Sequence, residues 1–579
     1  MTAPAPGWPA DPALCSDSDL RSGFLAPPPG WGEIAFFWWS GAELTRERLL
    51  DHLDRLTGWG ISGLQINYAH GDHGARWGLS IPSDPPLFSE AWWELVAWFA
   101  GEARQRGMWV SLSDYTLGGV GYGGWTDEIR RDLPDIGGLE LRADWHAAGT
   151  GIDLVLPLGT LAVAAKAEGD TCQDLSFALA DGRLRWTPPA AGWRVVVVRS
   201  EAVEPSVNPL DPRLGPETVA RVFQRMADRL GAEAAALNGF FSDELEFGVR
   251  GQLWHPRLPD EFQRRKGYAL LSVLPALFAD GDPRQIKTRL DVADVVTALI
   301  EESYFIPVYE WHAQRGLLYG CDHGGRGTDP VEFTDYARTQ RWTTGPGNDQ
   351  PNLAAAVVQG KVHSSLAHLY RRPRTWLEGF YGSGWGTTPA QLTRSMARNL
   401  VLGANLLSLH GLYYDTMGGW WEWAPPDNHW RMPYGRHMPR WLDWCRRLCW
   451  LLSQGVHRCD VAVLYPTAAV QADAVGGATA CRLAFAAIEH LVEAGLDADF
   501  IDDDSLAAAT VAGDELHHAG ERWRVLVLAD AVAMRHATLL AAERFAAAGG
   551  HVVLLGRPPA VTERVSGVDP EVESAVATL

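Results

Sequence analysis

IAFFWW (34–39), LTRERLLDHLDRLTGWG (44–60), SGLQINYAH (62–70), SEAWWELVAWFAGEARQRG (89–107) and MWVSLSDY (108–115) together decide the fold. Short apolar runs alternate with longer amphipathic ones. The long runs carry helix punctuation: Ser89 can cap the start of its helix, and Gly60 and Gly107 can end theirs. Strand, helix, strand, helix, strand in this rhythm predicts parallel strands joined by helical crossovers.

Outward from this stretch the rhythm breaks once and then resumes. Residues 135–205 hold several β-like runs, and Asp181-Gly182 between two of them signals a hairpin. This segment reads as a small β-rich insertion. Alternation returns with GPETVARVFQRMADRLGAE (215–233), ALNGFFSDELEF (236–247) and LLYGCDHGG (317–325). It continues through RTWLEGFYG (374–382), TPAQLTRSMARNLVLGA (388–404) and NLLSLHGLYYD (405–415), with RWTTGPGNDQPN (341–352) the least patterned unit. About eight β/α units predict a (β/α)₈ TIM barrel. After Gly455, CDVAVLYP, DADFID, WRVLVLAD and HVVLLG alternate with helical stretches, as in a doubly wound α/β domain. The expected organisation is the first part of the barrel over 1–134, the insertion over 135–205, the rest of the barrel over 206–455 and a flavodoxin-like domain over 456–579.

Composition excludes several function classes. The 579 residues carry a formal net charge of −21, which argues against phosphate backbones and anionic membrane surfaces. No uncharged apolar run has the length of a membrane span. The N-terminus, MTAPAPGWPADPALC, lacks a basic region followed by an apolar one, so a cytoplasmic location is expected. Seven cysteines without a CxxC pair signal neither a zinc site nor a disulfide framework. Cys445 and Cys449, one helical turn apart, read as small buried apolar residues. HExxH and GxSxG are absent. GVGYGG (119–124) matches GxGxxG, but no amphipathic helix begins there, so no nucleotide cofactor is expected. His70, Asp72 and His73, like Asp322 and His323, have metal-ligand side chains, but solvated loop histidines are commoner than metal ligands.

Barrel enzymes hold their chemistry at the carboxyl ends of the strands. Those positions offer Trp38 and Trp39, Asn67, Asp114, then Asp243, Glu244 and Glu246, then Glu378 and His410. Trp420 and Trp421 follow in a loop that also holds Trp423 and Trp430, and such a loop can stack on sugar rings. Hydrolysis of a glycosidic bond needs two carboxyls on opposite sides of it. The fourth and seventh strands lie across a barrel mouth from each other, so Glu246 and Glu378 could form that pair. Helix capping or ion pairing would also account for acids at these positions.

Several segments, in order over roughly 25–425, resemble family 106 glycoside hydrolases, the α-L-rhamnosidases. They are AFFWWSGAELTRERLLDHLDRLTGWGISGLQI, the Trp-Trp helix of PLFSEAWWELVAWFAGEARQRGMWVSLSDYTLGG, the acid cluster of GFFSDELEFG with the Arg-Arg-Gly-Tyr helix after it, and KVHSSLAHLYRRPRTWLEGFYGSGW. The resemblance implies inverting removal of terminal α-L-rhamnose from a glycoside, with a calcium ion touching the sugar hydroxyls. It implies Glu246 as general acid and Glu378 as general base, with Glu332 in reserve among the sugar-binding residues. It does not assign calcium ligands. Glu244 is an added acid relative to the family pattern. A retaining β-galactosidase-like barrel is the alternative enzyme, although such enzymes place Asn directly before the fourth-strand Glu. A non-catalytic sugar-binding protein on the same scaffold is the alternative outside catalysis.

Overall fold

The computed structural model describes residues 17–39, 42–68, 83–114, 124–416 and 426–579. Eight parallel strands form the central sheet: β1 (Gly32–Trp39), β2 (Gly63–Tyr68), β3 (Trp109–Ser113), β4 (Leu237–Leu245), β5 (Leu318–His323), β6 (Gly347–Gln350), β7 (Trp376–Gly379) and β8 (Leu406–Leu409). Ladders join β5–β4–β3–β2–β1–β8–β7–β6 in that order. The remaining seam, β5 to β6, is bridged by Thr344: its amide donates to Tyr319 O at 3.0 Å and its hydroxyl accepts from Tyr319 N at 2.6 Å. The sheet is thus a nearly closed (β/α)₈ barrel.

The helices form where the sequence punctuates them. Thr45 caps Arg46–Trp59 through its side chain, and Gly60, at φ 88°, closes it in the left-handed conformation that glycine adopts without strain. Ser89 caps Glu90–Gln105. Successive residues of a strand face opposite sides. Trp38 therefore turns into the barrel, whereas Trp39 turns out against Trp92 and Phe99.

Residues 139–202 form the insertion. Its main sheet runs Gln252–Trp254, Leu139–Ala147, Arg194–Ala202, Thr160–Lys166 and Gln173–Asp174, so a strand from beyond β4 completes it. Asp181 and Gly182, both at positive φ, make the predicted hairpin turn between Leu179–Ala180 and Arg183–Trp186. The Arg-Arg-Gly-Tyr helix expected after the acid cluster is divided. Gly267 ends Leu258–Lys266 in the left-handed conformation, and a separate short turn begins at Leu270.

The C-terminal region holds β9 (Val461–Leu464), β10 (Ala498–Ile501), β11 (Val525–Ala529) and β12 (His551–Leu555), all parallel, in the order β10–β9–β11–β12. This is the flavodoxin-like order. Helix Ala474–Glu493 is long and apolar enough to cross a membrane by composition, but here it lays Ala480, Ala484 and Ile488 on the sheet. The barrel and this region share one apolar core, in which Val357, Val362 and Leu366 pack with Val463, Tyr465 and Phe500.

A charged seam lies beside that core. Buried Asp499 accepts from Ser365 Oγ at 3.1 Å and meets His368 Nδ1 at 3.1 Å and His457 Nδ1 at 3.3 Å. Lys361 Nζ lies 2.8 Å from Asp497 and 3.6 Å from Asp499. Burial disfavours charge on His457, but its hydrogen bonds to Asp497, Asp499 and Glu521 outweigh this and carry its pKa up to about 11. All six described cysteines are free.

Two predictions follow from these contacts. Buried Arg374 donates to Gly30 O at 3.0 Å and Asn405 O at 2.8 Å and lies 4.0 Å over Trp31. Arg374→Leu strands both carbonyls and should lower stability by about 2–5 kcal/mol, read from urea unfolding. His457 has a folded pKa above its unfolded value. Its contribution is complete below the ordinary histidine pKa and is lost as pH rises toward 11. His457→Gln should cost about 3 kcal/mol near neutral pH and should flatten the alkaline fall in melting temperature. An unchanged alkaline fall would refute the assignment.

Candidate active site

Closure of the barrel brings the carboxyl ends of β4 to β7 to one rim. They deliver Asp243 and Glu244 from β4, Asp322 from β5, Asp349 from β6 and Glu378 from β7. Asp322, Asp349 and Glu378 are buried, Asp243 is half-buried and Glu244 is exposed. The guanidinium of Arg326 lies among them, with Nη2 2.7 Å from Asp349 Oδ2 and 3.4 Å from Glu244 Oε1, and Nε 3.6 Å from Asp322 Oδ2.

Five carboxyls around one cation cannot all ionise freely. Burial is the largest influence on Glu378, and the charges of Asp349, Asp243 and Asp322 add to it, so its pKa is held well above the usual carboxylate range. Burial and the neighbouring acids raise Asp243 and Asp322 likewise. Burial raises Asp349 too, but Arg326 opposes it and leaves its pKa near 6. Among the described residues several buried acceptors have no hydrogen-bond partner: both oxygens of Asp322, Asp349 Oδ1, Glu378 Oε2 and, on β2, Asn67 Oδ1. A rim of unsatisfied oxygen acceptors suits a ligand rich in hydroxyl groups.

The other predicted residues take different places. Glu246 lies just beyond the end of β4, half-exposed, with Oε1 3.1 Å from Arg250 Nη2. Among the described residues that arginine is its ion-pair partner, and the structure does not bring Glu246 into the rim cluster. Asp114 is buried beneath the rim. It accepts from Ser242 Oγ at 2.7 Å, and burial pushes its pKa to about 7. Trp39, one of the strand-end candidates, does not reach the rim: it is core packing between the barrel and helix Glu90–Gln105. Trp38 donates from Nε1 to His410 Nε2 at 3.0 Å, and burial pushes the pKa of His410 down to about 3. Glu332 is an anchor, because both its oxygens accept from the amide of Gly325 at 3.0 Å. Burial raises its pKa to about 7. His323 is buried between Phe305, Phe333 and Tyr336. Trp420, Trp421, His70, Asp72 and His73 lie outside the described residues.

Asp349 and Arg326 went unrecognised in the sequence. The strand GNDQ that bears Asp349 has no apolar alternation to announce it. Tyr381, after β7, also borders the acids, and burial followed by the charges of Asp349 and Glu378 raises its pKa.

Calcium requires six to eight oxygens around one point. The rim supplies oxygens, but Arg326 already lies among three of the carboxyls. Among the described residues, no three of the rim carboxylates bring oxygens within 4.8 Å of one another. These residues do not fit a calcium cage. Among the described residues, the one group that meets this spacing is His368, His457 and Asp499 in the seam, where Lys361 and His457 supply positive charge.

A search of curated protein sequences gives no match. Among solved structures, the chain is similar to a rhamnosidase from Novosphingobium sp. PP1Y, at a TM-score of 0.70 and 15% identity, over 96% of this chain and 72% of that one. It is more distantly similar to the cold-adapted β-galactosidase from Rahnella sp. R3, at a TM-score of 0.51 and 12% identity over 93% and 72% of the two chains. Gan42B, a GH42 β-galactosidase from G. stearothermophilus, gives a TM-score of 0.52 and 12% identity over 93% and 73%. At these identities the likeness establishes the fold alone. The family model described as alpha-L-rhamnosidase, glycoside hydrolase family 106, matches residues 160–579, running from within the insertion through the C-terminal region. The chain belongs to that family and is a glycoside hydrolase of the rhamnosidase type.

Proposed function

We propose that this enzyme removes terminal α-L-rhamnose from a glycoside with inversion at the anomeric carbon. The observation that carries the reading is the rim itself: acids from four adjacent strands, partly unsatisfied, in a member of a rhamnosidase family. A sugar presents several hydroxyl groups that donate to such acceptors, and the anionic character of the rim disfavours phosphorylated or carboxylated ligands.

Inversion needs one carboxyl to protonate the leaving oxygen and another to activate a water on the opposite face. Glu378 takes the second role. It is buried near the end of β7, and its Oε2 has no hydrogen-bond partner among the described residues, so it can accept from a water. Glu246 takes the first. Its half-exposed place beyond β4 suits contact with the aglycone, which extends toward solvent. Asp243, Glu244 and Asp349 accept from sugar hydroxyls, and Tyr381 and His410 border the same space. Asn67 adds a carbonyl acceptor. Trp420 and Trp421, which follow β8 in the sequence, are assigned to stacking on the sugar ring.

Glu378→Gln and Glu246→Gln should each lower kcat about 100- to 10,000-fold on an aryl α-L-rhamnoside, with the melting temperature kept. Wild-type turnover in either variant would overturn that role. Proton NMR of the first product should show β-L-rhamnose before mutarotation. The α-anomer appearing first would show retention, and cleavage of a β-galactoside alone would move the substrate assignment to the galactosidase type.

A further inference from the structure

Arg326 stands in the loop GGRGT (324–328), which is held in place from several sides. Arg326 N donates to His323 O at 2.9 Å, and Thr328 Oγ1 donates to Gly325 O at 2.8 Å. Glu332 accepts from the Gly325 amide. From the C-terminal region, buried Tyr465 donates its hydroxyl to Gly327 O at 2.9 Å. Arg326 itself sits at φ 49°, a left-handed conformation unfavourable for a residue with a side chain. A Cβ on Gly327 would come 2.9 Å from Val362. A strained turn, anchored by Glu332 and by Tyr465 of the C-terminal region, fixes where one guanidinium lies.

We propose that Arg326 is the positioning residue of the rim: it gathers Asp349, Glu244 and Asp322 onto one guanidinium and supplies the positive charge that lets Glu378 act as a base. The catalytic part of this inference rests on the hydrolase reading above; the electrostatic part does not. The titratable groups facing Arg326 are Asp243 and Glu244 from β4, Asp322 from β5, Glu332 from the loop after it, Asp349 from β6, and Glu378 and Tyr381 from β7. Arg326 opposes the upward shifts of Asp243, Asp322, Asp349 and Glu378 alike. Burial works against its own charge, and the surrounding acids outweigh that and raise its pKa.

The test compares wild type with Arg326→Gln and Arg326→Lys, by melting temperature from pH 4 to 9 and by kcat/KM against pH on an aryl α-L-rhamnoside. Rim acids with raised folded pKa values favour the native state at acid pH. That contribution is lost as pH rises through the folded values. Without the guanidinium those values climb, so in Arg326→Gln the fall in melting temperature and the acidic limb of kcat/KM should both move up by about one pH unit or more. Arg326→Lys, which keeps the charge, should return both toward wild type. A glutamine variant whose curves overlie wild type, or whose rate falls uniformly with an unmoved limb, overturns the proposal. If Arg326→Gln does not fold, Asp349→Asn decides: it removes one acid and leaves the guanidinium to the others, so the fall should move to lower pH, and an unmoved fall is a refutation. If wild type cleaves no rhamnoside, the functional reading fails, while the melting curves still judge Arg326.

Discussion

A closed parallel barrel sends every strand's carboxyl end to the same rim, and this constraint governs the rest of the molecule. Side chains far apart in sequence, from Asp243 to Glu378, become neighbours because their strands lie side by side. The closure depends on apolar burial behind the strands. It also depends on a small polar stitch at Thr344, where the β5–β6 ladder is missing. Groups at the opposite end, such as Arg374 over Trp31, tie the barrel floor and leave the rim free to carry chemistry.

Crowding like charges at that rim carries an electrostatic cost, and the fold meets it locally. Burial alone raises the pKa values of Asp243, Asp322, Asp349 and Glu378. One guanidinium, held in a turn of unfavourable backbone conformation, offsets part of that tendency. The anchors of the turn come from Glu332 and from Tyr465, so the C-terminal region contributes to the rim without reaching it. The same logic recurs in the seam, where Lys361 and two histidines surround Asp499. There the charges balance more nearly, and the arrangement joins domains instead of poising an acid.

Much of this was legible in the sequence. The alternation of IAFFWW, the helix after it and SGLQINY fixed a parallel architecture because strand and helix periods differ so plainly. Asp181-Gly182 announced its hairpin through the need for positive φ. Glu378 was legible because it ends an apolar strand. Asp349 was not, because its strand is four residues of GNDQ whose burial comes from its neighbours. Trp39 was misread because adjacent residues of a strand face opposite sides, and the sequence does not say which tryptophan turns inward. Glu332 has the composition of a binding residue, yet it spends both oxygens on one backbone amide. The direction of Arg326 depends on a turn conformation that no periodicity encodes.

The contact between Trp38 and His410 has a consequence for proton traffic. An indole N–H can only donate, so His410 Nε2 must be the bare nitrogen and Nδ1 must carry the hydrogen. The tautomer is therefore fixed by a neighbour that cannot reverse its role. Because burial also keeps the ring neutral, His410 can offer one N–H to a ligand but cannot relay protons. Among the described residues, proton transfer at this rim falls to the carboxyls, Tyr381 and water, and His410 serves as a wall.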